Sequence, residues 1–185
     1  MKKNKVKNIL IYSITFVFFG GLDCYSTHIL SKNQIGNEAN PVLASTDLSS
    51  LFRDHAIMLA IGLFCLLLAM KLKKGLEIND PTNRSVSSFL SLMRSSRQNR
   101  LSFILLLDSL LLLWIKFVGS GSNLLLIYTG KELFSSLRPI FPNTSNTCYF
   151  WIWALGSNFL GLLFFGFLVY KYWERNGTII SECNS

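Results

Sequence analysis

Apolar residues in this chain come in blocks rather than in alternation. From Ile9 to Leu22 the sequence reads ILIYSITFVFFGGL without a charge, and further apolar blocks run over 56–70, 101–118 and 149–170. A hydrocarbon core of roughly 30 Å takes about 20 helical residues at about 1.5 Å each. The pattern predicts four transmembrane helices, at about 9–30, 51–70, 101–118 and 149–170. The second apolar block is short, so its helix is expected to begin earlier, near Leu51. The expected fold is an all-α integral membrane bundle. It forms a single membrane domain over 1–185, without a soluble catalytic domain.

The connecting segments have their own character. Residues 84–100, RSVSSFLSLMRSSRQNR, carry four arginines and no acid, with Phe89, Leu90, Leu92 and Met93 between them. That composition predicts a basic segment lying on a membrane surface and contacting anionic lipids, within a basic loop 71–100. A single helix over 101–130 would measure roughly 45 Å, more than the hydrocarbon core. Gly119 and Gly121 are therefore expected to break the third helix, with 122–141 as an outer interfacial or re-entrant segment.

Composition agrees with the blocks. Half of the 185 residues are hydrophobic and 15% are charged, with a mean hydropathy of +0.38. The net charge of +8 does not point to nucleic acid, because the basic residues lie between apolar blocks, as topology determinants do. Four lie in the N-terminal tail (Lys2, Lys3, Lys5, Lys7), seven in the middle loop and two in the C-terminal tail (Lys171, Arg175). The other two loops share four: Lys32, Arg53, Lys131 and Arg138. Thirteen against four places both termini and the middle loop in the cytoplasm of a multi-pass cell-membrane protein. The N-terminus imitates a secretory signal, but no A-x-A pattern follows, and Asp23 spoils a lipoprotein-like reading of Leu22-Asp23-Cys24. It reads as an uncleaved first helix. The four cysteines have no zinc-like spacing and no C-x-x-C.

Charges inside the spans are the candidate chemistry. Asp23 lies 14 residues past Ile9, roughly 21 Å along the first helix, and Lys116 lies 15 past Leu101, roughly 22 Å along the third. Both helices run inside to outside, so the two charges share a layer and are expected to pair. Asp108 sits roughly 10 Å from the cytoplasmic face, too far along the helix to reach Lys116. It is expected to meet Ser13 or Thr15, a cavity or a second subunit, or else to be protonated. The outer layer also collects Cys24, Thr27, His28, Glu38, Asn40, Asp54, His55 and Cys148. Asp23 and Thr27 share a helix face. A structural account covers most of this: Asn40-Pro41 is a good helix start, and Glu38 and His28 have ordinary loop and headgroup roles. A metal at His28, His55 and Glu38 is a minor reading, as the ligand types suit zinc or iron but the spacing matches no known pattern. No other cofactor is expected. An Asp23–Asp108 aspartyl pair is disfavoured by their different depths, and Ser120 or Ser122 as nucleophile is disfavoured because helix termination accounts for the glycines around them.

Asp23-x-x-x-Thr27 followed by Glu38-x-Asn40-Pro41 and a second span resembles a family of small uncharacterised bacterial and archaeal membrane proteins. These open with an Asp…Thr helix and a Glu-x-Asn-Pro loop, and the resemblance covers roughly the first 70 residues. It implies a polytopic helical membrane protein in which Asp23, Thr27, Glu38 and Asn40-Pro41 form one constellation. It implies no activity.

The functional expectation is an accessory or scaffold subunit of the inner membrane that forms a homo-oligomer or binds a membrane partner. The alternatives are a small transporter or channel component using Asp23, Lys116 and Asp108, and a membrane-embedded enzyme, metal-dependent or not, with its site in the outer layer.

The charge asymmetry generates a first test. Reporter fusions at residue 85 and after 185 should report the cytoplasm, and one at 140 the outer side. An external signal from residue 85 would overturn the four-span topology.

Overall fold

The computed structural model describes residues 2–32, 48–72, 85–131, 139–140 and 146–176. Five helices account for nearly all of them: α1 Lys2–Lys32, α2 Leu48–Leu72, α3 Val86–Ser95, α4 Arg97–Thr129 and α5 Asn146–Asn176. α1, α2, α4 and α5 are each long and apolar enough to cross a membrane. α3 is the short one, in the basic segment between the second and third of them.

The expected break in the third span does not occur. α4 runs unbroken through Gly119 and Gly121 for 33 residues, roughly 50 Å at the α-helical rise. A glycine costs a helix only about 1 kcal/mol relative to alanine. An unpaired backbone group in hydrocarbon costs several. Continuing the helix through a hydrocarbon layer is therefore cheaper than breaking it, and a helix of this length would cross one with tilt or with its ends in the headgroup layers. Residues 122–129, expected in an outer interfacial segment, are the last turns of α4. The stop comes at Gly130, whose φ of 66° and N–H bond to the Leu126 carbonyl (2.9 Å) close the helix. The other helices match the expected blocks with longer ends, as in α2, which begins at Leu48.

The helices pack as two compact units. One comprises Met1–Ile14, Ala60–Leu112 and Gly161–Ser185, and the other Thr15–Leu59 and Leu113–Leu160. In the first, Phe89 of α3 is buried against Phe103 of α4 and Tyr170 and Trp173 of α5, with ring centroids 5.2–5.6 Å apart. Met93, one turn on, is buried as well. Ser85 caps α3, its hydroxyl accepting from the Ser88 N–H (3.3 Å), and Ser96 does the same for α4 through the Gln98 N–H (3.2 Å). Hydroxyls then tie the long helices together. Ser102 Oγ donates to the Ala69 carbonyl of α2 (2.8 Å), and Tyr12 of α1 donates to the Ser109 carbonyl of α4 (3.0 Å). Gly62 of α2 leaves room for the Tyr12 phenol, since any Cβ there would overlap its hydroxyl.

In the second unit Phe19 of α1 meets Phe117 of α4 edge to face at 5.2 Å. Trp114 of α4 donates its indole N–H to the Ser157 carbonyl of α5 (3.0 Å). Phe16, Cys24, Ser26 and Thr27 are buried.

The helices leave many large apolar side chains exposed and bury polar side chains among their apolar core residues. Leu10, Ile14, Phe64, Leu155 and Phe159 are among many large side chains left exposed, whereas Asn99, Ser102, Ser109, Lys116 and Ser120 of α4 are buried. Those five recur at helical spacing on a single face. Lipid tails supply no hydrophobic force between helices, so close approach of small residues and interhelical hydrogen bonds must hold such a protein together.

Gly62 and Gly21 provide a matched test of this packing. Gly62→Ala should cost about 1–3 kcal/mol by overpacking. Gly21→Ala, where nothing lies within 4 Å of the added atom, should be neutral or stabilising by up to about 1 kcal/mol. Equal unfolding midpoints for the two variants in detergent would show that Tyr12 is not seated on Gly62.

Candidate functional site

Asp23 is the hub of the second unit. It occupies the inward face of α1 with Phe16, Gly20 and Thr27, positions three and four residues apart that are all buried. Its carboxylate takes side-chain contacts from two other helices. Oδ2 accepts from Lys116 Nζ of α4 at 3.2 Å and lies 3.1 Å from His55 Nε2 of α2. Oδ1 accepts from Asn123 Nδ2 of α4 at 3.3 Å, and the same amide donates to Thr27 Oγ1 at 2.9 Å. The side chains of Asp23, His55 and Lys116 are 13%, 12% and 8% exposed, so solvent does little to weaken these contacts.

Two glycines admit the cluster. A Cβ at Gly119 would stand 3.1 Å from Asp23 Oδ1, and one at Gly20 would stand 3.1 Å from His55 Cδ2. Gly119 therefore has a positive role that helix termination cannot supply: it lets the α1 carboxylate approach the α4 backbone. Lys116, Gly119 and Asn123 follow one another at three and four residues, so an unbroken α4 presents all of them to Asp23.

The expected Asp23–Lys116 pair is thus present, and Thr27 joins the same cluster through Asn123. His55 enters it as a partner of Asp23. His28, half-buried on α1, is not among the side chains bonded to Asp23. Glu38 and Asn40 lie outside the described residues. Asp108 stands apart: it belongs to the first unit and is exposed on the outer surface of α4, near the exposed Leu101 and Ile104. Neither Ser13 nor Thr15 is hydrogen-bonded to it. Among the described residues no three His, Cys, Asp or Glu side chains are placed to hold a metal ion.

Asn123 and the His55 contact were absent from the sequence expectation. Asn123 was hidden by the expected break, although its seven-residue spacing from Lys116 was visible. His55 lies on a different helix from Asp23, and no periodicity within one helix could reveal their contact.

Chemically, the cluster holds a carboxyl group in a nearly dry environment by matching it to a lysine and to hydrogen-bonding side chains. Removing one member of such a pair strands the other charge, at a cost of about 3–5 kcal/mol. Comparisons with protein-family models, with curated proteins and with solved structures found no match.

Asp23→Ala and Lys116→Ala should each destabilise the protein by about 3–5 kcal/mol, measured by denaturant unfolding in micelles. The double variant should lose less than the sum, by at least about 1 kcal/mol. Strictly additive losses would show that the two charges do not stabilise one another.

Proposed function

We propose that this chain is a non-enzymatic, multi-pass inner-membrane subunit that scaffolds or binds another membrane protein, with both termini in the cytoplasm. The contrast between its two intramembrane aspartates carries the reading. Asp23 is buried and surrounded by donors from α2 and α4, the condition of a structural lock. Asp108 lies on an exposed, otherwise apolar face of α4 with Leu101 and Ile104. It is seven residues past Leu101, roughly 10 Å into the span. A lipid-facing carboxylate there costs at least a few kcal/mol, and a transmembrane helix bringing a Lys, Arg or hydroxyl donor to that depth would remove the cost. Such a helix belongs to a different protein. A second copy docked with the two-fold axis passing at Asp108 would bring Asp108 against Asp108.

The basic segment supports a cytoplasmic contact with anionic lipid. α3 turns Phe89 and Met93 inward and leaves Val86 and Leu90 exposed beside Arg94, Arg97 and Arg100, the side-chain set of a helix resting on acidic headgroups. A small transporter component is the second reading, favoured by the ionisable Asp23, His55 and Lys116 within spans. It requires water to reach Asp23, which the scaffold reading does not.

A photo-reactive amino acid at Ile104, activated in native membranes, should give a discrete cross-linked product that is lost in Asp108→Leu. The same probe at Ile11, exposed on α1, should give none that depends on Asp108. A missing product, a product of twice the chain mass, or one insensitive to Asp108→Leu would overturn the partner reading.

A further inference from the structure

His55 is held between two acceptors. Its Nδ1 lies 2.8 Å from the Leu51 carbonyl oxygen, and its Nε2 lies 3.1 Å from Asp23 Oδ2. A backbone carbonyl can only accept a hydrogen bond, and so can an ionised carboxylate. A neutral imidazole carries one N–H. It could satisfy one of these neighbours and would turn a lone pair toward the other. Both contacts are hydrogen bonds only if a second proton lies between Nε2 and Oδ2, on the ring or on the carboxyl.

We propose that Asp23 and His55 together form a proton-binding site, and that the arrangement seen here is its loaded form. The inference uses the geometry of the cluster and does not depend on the scaffold reading. The ring has little freedom to turn away, because Leu51, one helical turn earlier in α2, holds Nδ1 and Gly20 of α1 lies against Cδ2. The carboxylate is likewise fixed, by Asn123 on Oδ1 and Lys116 on Oδ2. Lys116 is the charged group facing the pair from α4. On α1, Cys24 follows Asp23 and is buried. On α2 itself, Arg53 and Asp54 are more exposed and pair with each other at 3.5 Å. Among the described residues, Lys116 is the cation bonded to the pair.

Loading and release move one proton and nothing else. In the loaded form the cluster holds one proton on Nδ1, one shared by Nε2 and Oδ2, and the Lys116 ammonium. Release gives the shared proton to water and leaves a neutral ring beside an ionised carboxylate. Lys116 and Asn123 still hold that carboxylate, so the α1–α4 tie persists. The neutral ring keeps one N–H, so it can hold either the Leu51 carbonyl or Asp23 Oδ2 but no longer both. The site therefore couples the two-sided hold on the His55 ring, by Leu51 of α2 and Asp23 of α1, to proton occupancy while sparing the contact between α1 and α4.

The test is to count protons on this pair in the full chain in lipid bilayers at neutral pH. The chain has two histidines, so nitrogen NMR of ring-labelled protein gives two sets of signals. The His28→Gln variant assigns the set belonging to His55, or, should that variant not fold, the ring-to-carboxylate contact with labelled Asp assigns it in the wild type. Infrared spectroscopy reports whether Asp23 is ionised. The expected result is either a ring with two N–H groups facing an ionised carboxylate, or a ring protonated on Nδ1 facing a protonated carboxyl. One proton per chain should then leave on alkaline titration, leaving a ring with one N–H beside an ionised carboxylate. A ring with one N–H beside an ionised Asp23 at neutral pH would overturn the proposal. That outcome would leave the Asp23–Lys116 pair, and with it the structural lock, untouched.

Discussion

A carboxylate in a membrane span must be neutralised or surrounded, and the second compact unit is arranged around that requirement at Asp23. Its cost when bare is at least a few kcal/mol, comparable with the several kcal/mol at stake in breaking a buried ion pair. Lys116 alone would cancel the charge, yet one cation leaves lone pairs of the carboxylate unmet. Asn123 and His55 approach the remaining positions. The consequences spread outward from there. α4 must continue through its glycines to bring Asn123 round, Gly119 must lack a side chain, and Gly20 must make room for the His55 ring. A single acidic residue thereby constrains positions on three helices.

The first unit meets the same solvent by weaker means. Its interhelical bonds run from hydroxyls to backbone carbonyls, Tyr12 to Ser109 and Ser102 to Ala69. Measured interhelical hydrogen bonds in membranes average only about 0.6 kcal/mol. Close approach must contribute beside them, and Gly62 under Tyr12 together with the buried Ala69 provides it. Around Phe89 the device is different again. There α3 inserts an aromatic ring among Phe103, Tyr170 and Trp173, binding the basic segment to the bundle through dispersion and edge-to-face contacts.

The apolar blocks made the four long helices legible, because nothing but a helix of about 20 residues carries its own backbone hydrogen bonds through lipid. Matched depth made the Asp23–Lys116 pair legible, since 14 and 15 residues of helix reach the same layer. The error lay in treating Gly119 and Gly121 by the habits of soluble proteins. In water a glycine pair ends a helix easily because water takes over the freed carbonyls. In lipid there is no such donor-rich solvent, and Gly119 instead marks where Asp23 of α1 comes close, while Gly121 has nothing within 4 Å of an added Cβ. His55 was illegible for a different reason. Its contact depends on how α2 is placed against α1, and no pattern within 48–72 encodes that placement.

Asp108 shows the other side of the same physics. It lies on α4 eight residues before Lys116, in a helix whose buried face carries Ser109 and Ser102. A one-residue shift along the helix would have turned a carboxylate inward toward that polar seam. Instead Ser109 occupies the seam, its hydroxyl bonded to the Leu106 carbonyl and its own carbonyl accepting from Tyr12. The seam has no need of a charge at that position, so the bundle's own stability does not account for Asp108. An ionised carboxylate on a lipid-facing surface costs at least a few kcal/mol. Asp23 is therefore accounted for by its contacts within the second unit, whereas no hydrogen bond or ion pair among the described residues accounts for Asp108.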